Sequence, residues 1–145
     1  MNPPKITDSL GFLLVETART WRNKLDQRLK PLGLSQAQWL ALVHLSRAEP
    51  HITQKALAER IGIEGPTLVR LLDRMARDNW IERRESTSDR RSKTVHLTPQ
   101  AQAILEEIKI TAAQLRKELL RGIPVADLDQ CAAVLKRITA AAQHI

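Results

Sequence analysis

The spacing of small and apolar residues within 54–79 constrains the fold of this chain most strongly. Three residues separate Ala58 from Gly62, five separate Gly62 from Leu68, and two separate Leu68 from Leu71. Glycine permits a tight turn between two helices, and alanine lets the helices cross closely. The pattern predicts a helix-turn-helix. Two packed helices joined by a glycine turn, with no further function, are the alternative.

The second of these helices, predicted from Pro66 to about residue 79, has two faces. One face is apolar and expected to be buried; it contains Leu68, Leu71, Leu72 and Met75. The other contains Thr67, Arg70, Arg74 and Arg77. Arginine donates to guanine O6 and N7 or to phosphates, and a threonine at a helix N-terminus can contact a thymine methyl group or a phosphate. This face is therefore predicted to contact DNA. Because Asp73 and Asp78 dilute its charge, a merely solvated face is the alternative.

A hairpin is predicted to follow, since residues alternate in character over 80–84 and again over 93–97. The polar tip between these strands contains Asp89, Arg90, Arg91 and Lys93. The aspartate is placed to bond one of the basic residues and fix its direction. A narrow DNA minor groove attracts inserted arginine. Alone, such a loop is more often a solvated charge cluster, but beside the helix-turn-helix it favours a groove contact.

Helical arms are predicted at both ends of the chain. The N-terminal arm has an apolar seam at steps of three and four: Leu10, Leu14, Ala18, Trp21, Leu25, Leu29 and Leu32. Thr98 caps a second long helix, with Pro99 in its first turn, and Gly122 ends it. The last helix has a further seam of Leu128, Ala132, Leu135, Ile138 and Ala142. A single chain of this length leaves such seams partly uncovered, which predicts a homodimer.

Local signals also mark the start of the shorter helices. Ser35 and Gln38 have the spacing of a capping box, and Thr53 is placed to cap the helix that follows it. Glu64 precedes the second helix of the helix-turn-helix, where a serine-type cap is more usual, so this cap is predicted to be weak.

Charge and composition narrow the class of protein. The chain has 23 Lys and Arg against 16 Asp and Glu, a net charge of +7, which favours nucleic acid or an anionic membrane as a partner. The alternative is that the charge serves solubility alone. Its longest apolar run is far too short to span a membrane, so a cytoplasmic location is expected. Cys131 is a lone cysteine and is expected to be a small buried apolar residue. The histidines show no metal-ligand spacing and no catalytic arrangement stands out, so we expect no enzyme activity, metal or cofactor.

Three stretches, IGIEGPTLVRLLDRM, WIERR and SDRRSKTVHLT, together with the upstream RTWRNKLDQRLKPLGLSQAQW, resemble winged-helix regulators of the MarR family, closest to the SlyA type. Asp89 and Arg91 match the family's D-x-R wing signature, and Leu97 and Thr98 match the Leu-Thr that follows it. The resemblance implies a mainly α fold with a small β-hairpin wing, in which a winged helix-turn-helix lobe lies between dimerisation helices.

The predicted organisation is one domain over 1–145, with dimerisation helices at 8–32 and 99–145 and a lobe at 35–98. Within the lobe, the helix-turn-helix covers 54–79 and the wing 80–98. The resemblance further implies a homodimeric, nucleoid-associated repressor or activator on pseudo-palindromic double-stranded DNA. It places Pro66, Thr67 and Arg70 at the base-contacting end of the recognition helix, and Arg91 in the minor groove.

Many family members also bind small phenolic compounds or aromatic carboxylates between the DNA-binding lobe and the dimer helices. The matching positions here are Arg19, Arg22 and Trp39. Alternatively, Trp39 packs against Leu34 across its helix start and the arginines are surface charges. For the whole protein, the alternative function is a winged-helix interaction module whose basic face binds an acidic protein partner.

Overall fold

Six α-helices and one β-hairpin form the framework of the computed structural model, which describes residues 2–3, 5–89 and 91–145. In chain order the elements are α1 (Ile6–Leu29), a 3-10 turn (Lys30–Leu32), α2 (Gln36–Arg47), α3 (Gln54–Ile61), α4 (Gly65–Arg77), β1 (Ile81–Glu85), β2 (Lys93–Leu97), α5 (Pro99–Leu119) and α6 (Val125–Gln143). This architecture confirms the prediction of a mainly α fold with a hairpin wing.

Helix boundaries lie where the local capping signals predict them. The Ser35 hydroxyl accepts a hydrogen bond from the Gln38 N–H at 3.2 Å, and the Gln38 side chain accepts one from the Ser35 N–H at 2.9 Å. Thr53 Oγ1 accepts from the Ala56 N–H at 3.1 Å, at the start of α3. Gly62 ends α3 with φ +83°, a conformation that glycine adopts without strain. These interactions confirm the predicted caps of α2 and α3.

The core of the winged lobe lies between α2, α3 and α4. Its fully buried side chains include Leu42 of α2, Leu57 of α3 and both Leu72 and Met75 of α4. Leu68 and Leu71 are buried as well, so the predicted apolar face of α4 is confirmed. Because side chains at these spacings share one side of a helix, their burial fixes which side of α4 remains exposed.

The hairpin is antiparallel, and its pairing runs from Ile81 opposite Leu97 to Glu85 opposite Lys93. Ile81 and Val95 are buried against the lobe. The Val95 N–H also donates to the Ile52 carbonyl at 3.1 Å, so β2 is bonded to the segment that precedes α3. The base of the wing is therefore held by backbone bonds on two sides.

Thr98 links the wing to α5. Its hydroxyl accepts from the Ala101 N–H at 3.2 Å and donates to the Asn79 carbonyl at 2.7 Å, with the Trp80 carbonyl at 3.2 Å. The side chain is buried. This geometry confirms Thr98 as the cap of α5 and shows that the same hydroxyl also holds the segment before β1.

The chain divides into two compact units, Met1–Ala112 and Ala113–Ile145. In the second unit, no residue of α6 is buried, and the structure describes every residue of that helix. Cys131 is exposed. The expectation that Cys131 is a buried residue is therefore wrong for the single chain. Within the described residues, no helix is long and apolar enough to cross a membrane.

Candidate nucleic-acid interface

The exposed face of α4 carries the predicted DNA-contacting residues. Burial of the apolar face leaves the opposite face to solvent, and all of its predicted members are exposed: Pro66, Thr67, Arg70, Arg74 and Arg77. A shallow groove of about 380 Å³ runs along this face, lined by Arg70, Asp73, Arg74 and Arg77. The structure thus gathers the three arginines on one solvent-facing surface.

The N-terminus of α4 is suited to an anion. The first-turn N–H groups of a helix have no acceptor within the helix, and the helix dipole adds partial positive charge there. Glu64 lies at the cap position but its side chain accepts no cap hydrogen bond, which confirms the predicted weak cap. Thr67 Oγ1 lies 3.5 Å from Arg70 Nη2, at the outer limit of a hydrogen bond. The Arg70 guanidinium therefore lies near the N-terminal end of the helix.

Asp73 lies on the same face of α4 as the arginines, and its carboxylate forms an ion pair with a residue of the wing. Its Oδ1 atom accepts from Arg83 Nη1 of β1 at 2.7 Å. Sequence reasoning did not identify Arg83 as a functional residue. The available signal was its spacing of two residues from Ile81, which places both side chains on the side of β1 that faces the lobe.

Asp89 accepts two hydrogen bonds from backbone N–H groups at the tip of the wing. Its carboxylate accepts from the backbone N–H of Arg91 at 2.9 Å, and its carbonyl accepts from the Ser92 N–H at 3.1 Å. Asp89 thus holds the main chain at Arg91 through its backbone amide. The Arg91 and Lys93 residues are exposed. Arg90, also predicted to contact DNA, lies outside the described residues.

Two histidines near the base of the wing are in contact. The rings of His51 and His96 meet edge to face with centroids 6.1 Å apart, and His96 Nε2 lies 2.8 Å from Thr94 Oγ1. Burial lowers the pKa of His96 below its ordinary value of 6.5; the nearby Arg84 and His51 side chains lower this pKa further, and Glu82 raises it. His96 is therefore mostly uncharged at neutral pH and adds little positive charge to the wing.

A cleft of about 590 Å³ lies between α1 and the start of α2. Its lining consists of Leu14, Val15, Ala18, Arg19, Arg22, Asn23 and Gln36. The cleft brings together two of the three predicted effector-binding residues, Arg19 and Arg22. Trp39 is absent from the described lining: it is buried, and its indole N–H donates to Asp26 Oδ1 at 2.9 Å. The aspartate is a partner that sequence reasoning missed, because the two residues are 13 positions apart.

Helices α2 to α4 followed by a hairpin define a winged helix-turn-helix protein. A sequence-family model described as MarR family matches residues 32–92. The crystal structure of the transcriptional regulator PA3341 is 43% identical, with a TM-score of 0.87 over 94% of this chain and 99% of that one. The apo form of MarR from E. coli is 27% identical, with a TM-score of 0.76 over 95% of this chain and 98% of that one.

A third solved structure, CouR from Rhodococcus jostii RHA1 bound to p-coumaroyl-CoA, is 20% identical and shares the fold, with a TM-score of 0.78 over 94% of this chain and 95% of that one. The match of the family model and the 43% identity to the PA3341 regulator identify the family of the chain. The chain belongs to the MarR family of transcriptional regulators.

Proposed function

We propose that the protein is a homodimeric, sequence-specific regulator that binds pseudo-palindromic double-stranded DNA. The observation that carries the proposal is the exposed face of α4, where Thr67, Arg70, Arg74 and Arg77 lie opposite a buried apolar face. An α-helix fits the major groove of B-DNA, and arginines on its outer face reach base edges and phosphates. Membership of a family of transcriptional regulators supports the proposal.

The N-terminal turn of α4 supplies the base contacts in this proposal. Arg70 donates to a guanine, Thr67 contacts a neighbouring base or phosphate, and Pro66 packs against the DNA at the helix entry. Arg74 and Arg77 lie further along the helix and bind phosphates. Phosphate contacts set position and affinity, whereas base contacts set sequence preference.

The wing supplies a second contact. Arg91 enters the adjacent minor groove, and Lys93 binds the backbone beside it. Asp89 supports this role because its bond to the Arg91 amide gives the tip a defined main-chain conformation. Arg90 is proposed to contribute a further phosphate contact. A minor groove narrowed by A/T-rich sequence would favour the inserted arginine.

Homodimer formation would cover the exposed apolar residues of the helical arms. Phe12, Leu13 and Val15 of α1 and Val134 and Leu135 of α6 are all exposed in the single chain. The proposed dimerisation segments are 8–32 and 99–145. Two recognition helices related by a twofold axis would contact half-sites one helical turn apart, about 34–36 Å. Binding there would regulate transcription by occluding a promoter or displacing another DNA-bound protein.

An aromatic carboxylate is the effector class that the cleft beside α1 supports. Arg19 and Arg22 would bind the carboxylate, while the apolar side chains of Leu14 and Val15 would contact the ring. CouR, a structure of the same fold, was solved with p-coumaroyl-CoA bound. Trp39 has no role in this proposal, because its indole is buried and bonded to Asp26. An effector acts only through different affinities for two arrangements of the dimer.

Selection from random DNA duplexes followed by gel-shift titration tests the proposal. We expect an imperfect palindrome bound by two chains, with affinity falling steeply as salt rises. Arg70→Ala and Arg91→Ala are each expected to weaken binding by roughly 5- to 150-fold, a free-energy change of about 1–3 kcal/mol. Arg47→Ala, which removes an exposed arginine of α2, is the matched control and is expected to bind normally.

Selection that recovers no sequence preference would overturn the proposal. Unchanged affinity in both the Arg70 and Arg91 variants, with an intact dimer, would instead favour an interaction module that binds an acidic protein partner.

A further inference from the structure

We propose that the ion pair between Arg83 and Asp73 is a positioning element for DNA recognition. This inference rests on the proposed DNA-binding function. Arg83 Nη1 lies 2.7 Å from Asp73 Oδ1, so one charge-assisted hydrogen bond joins β1 of the wing to the centre of α4. The two elements that it joins are the two that contact DNA in the proposal. The ion pair fixes the wing relative to the recognition helix.

The strand register explains why Arg83 reaches α4. Its cross-strand partner is Val95, which is buried, and Ile81 on the same side of β1 is buried as well. Glu82 and Arg84 alternate with them and pair with each other at 2.9 Å on the exposed side. Arg83 therefore takes a position on the lobe-facing side, where only 28% of its side chain is exposed.

The pair also changes the charge of the groove along α4. Asp73 lies among Arg70, Arg74 and Arg77 and is half exposed, so an unpaired carboxylate there would repel phosphates. Asp73 is three residues from Arg70 and four from Arg77, spacings at which helix side chains can pair. In the described part of the chain, its ion pair is with Arg83 instead. The three groove arginines thus remain available to DNA.

Charge repulsion by Asp73 and positioning of the wing by Asp73 predict opposite changes in DNA affinity when its carboxylate is removed. Removing a carboxylate from a DNA-facing surface should tighten binding if charge alone decides affinity. If the carboxylate positions the wing, its removal weakens binding. Because Asp73 is half exposed, its ion pair adds little to stability, and the fold should remain intact. Asp78 supplies a matched control, because it is an exposed carboxylate at the C-terminal end of the same helix.

Fluorescence anisotropy with the selected duplex compares Asp73→Ala, Asp78→Ala, Arg83→Met and the double variant of Asp73 and Arg83. We expect Asp73→Ala to weaken binding by about 5- to 10-fold, less than the loss of the whole wing contact, and Asp78→Ala to bind as tightly as wild type or tighter. The double variant should bind no more weakly than Arg83→Met, since the two residues act as one unit. Restoring the carboxylate as Asp73→Glu should recover part of the affinity.

A further readout separates positioning from a purely structural role. In the Asp73→Ala background, Arg91→Ala should weaken binding by less than it does in wild type, because the wing is no longer held in place. Asp73→Ala binding as tightly as Asp78→Ala, or an undiminished effect of Arg91→Ala, would overturn this inference alone. Failure of the wild-type protein to bind any selected duplex would overturn the proposed function and this inference together.

Discussion

Replacing Thr98 with valine tests the joint that connects the wing, the end of α4 and α5. Valine fills nearly the same volume, so no cavity forms, but the hydroxyl is lost. The Ala101 N–H then loses its acceptor at 3.2 Å, and the Asn79 carbonyl loses its donor at 2.7 Å. Thr98 is 6% exposed and Ala101 is 0% exposed, so water cannot readily replace the bond to the Ala101 amide.

The magnitude follows from these two losses. A threonine cap contributes about 1 kcal/mol, and a buried polar group left without a partner costs about 1–3 kcal/mol. Because the two terms overlap at the Ala101 amide, we expect Thr98→Val to lower the free energy of unfolding by about 2–3 kcal/mol. For a chain of this size the melting temperature should fall by roughly 6–12 °C.

Urea unfolding measures this change, with both proteins at the same concentration because a dimer's stability depends on it. Thr98→Ser is the control: it keeps the hydroxyl and should retain most of the stability. A valine variant within about 0.5 kcal/mol of wild type would refute the reasoning, since that is the range of a neutral surface change.

Three further changes test the fold. Glu64→Ser should raise the free energy of unfolding by about 0.5–1 kcal/mol, because serine can accept the N–H bond that Glu64 does not; no gain would contradict the weak-cap assignment. Leu72→Ala should lower it by about 2–5 kcal/mol, against less than about 1.5 kcal/mol for Leu72→Met, since Leu72 is 0% exposed. Burial lowers the pKa of His44 and His96 below their ordinary value of 6.5, so the unfolded chain binds protons first as pH falls. Their contribution to stability is complete above pH 6.5 and is lost as pH falls from there toward the folded pKa. The urea midpoint should therefore drop between pH 7.5 and 5.5, and drop less in His96→Gln; an equal drop in that variant would contradict this assignment.

The sequence predicted those features that depend on residues close together in the chain. The capping box at Ser35, the cap at Thr53 and the left-handed turn at Gly62 each involve groups within four residues of one another. The buried face of α4 was predictable for the same reason, because a helix converts a spacing of three and four into one side of a cylinder. The formation of these caps, this turn and this buried face depends little on how the rest of the chain folds.

Side-chain partners from separate elements were not predictable. Asp26 bonds the indole of Trp39 across 13 positions, and Asp73 bonds Arg83 across two elements whose relative placement follows from packing of the whole lobe. The expectation that Cys131 is buried was wrong for a different reason. It rested on the general tendency of free cysteines to be buried, and that tendency does not tell whether the helix face around the residue is covered within a single chain.

The central claim is that the N-terminal end of α4 contacts bases in the major groove. Comparing the base preferences selected by wild-type protein and by Arg70→Ala tests it most directly. A bidentate contact discriminates against a wrong base by about 1–3 kcal/mol, so the variant should lose preference at one position in each half-site and keep it elsewhere. Identical preferences at every position, with only a uniform loss of affinity, would show that Arg70 binds phosphate and would contradict the account.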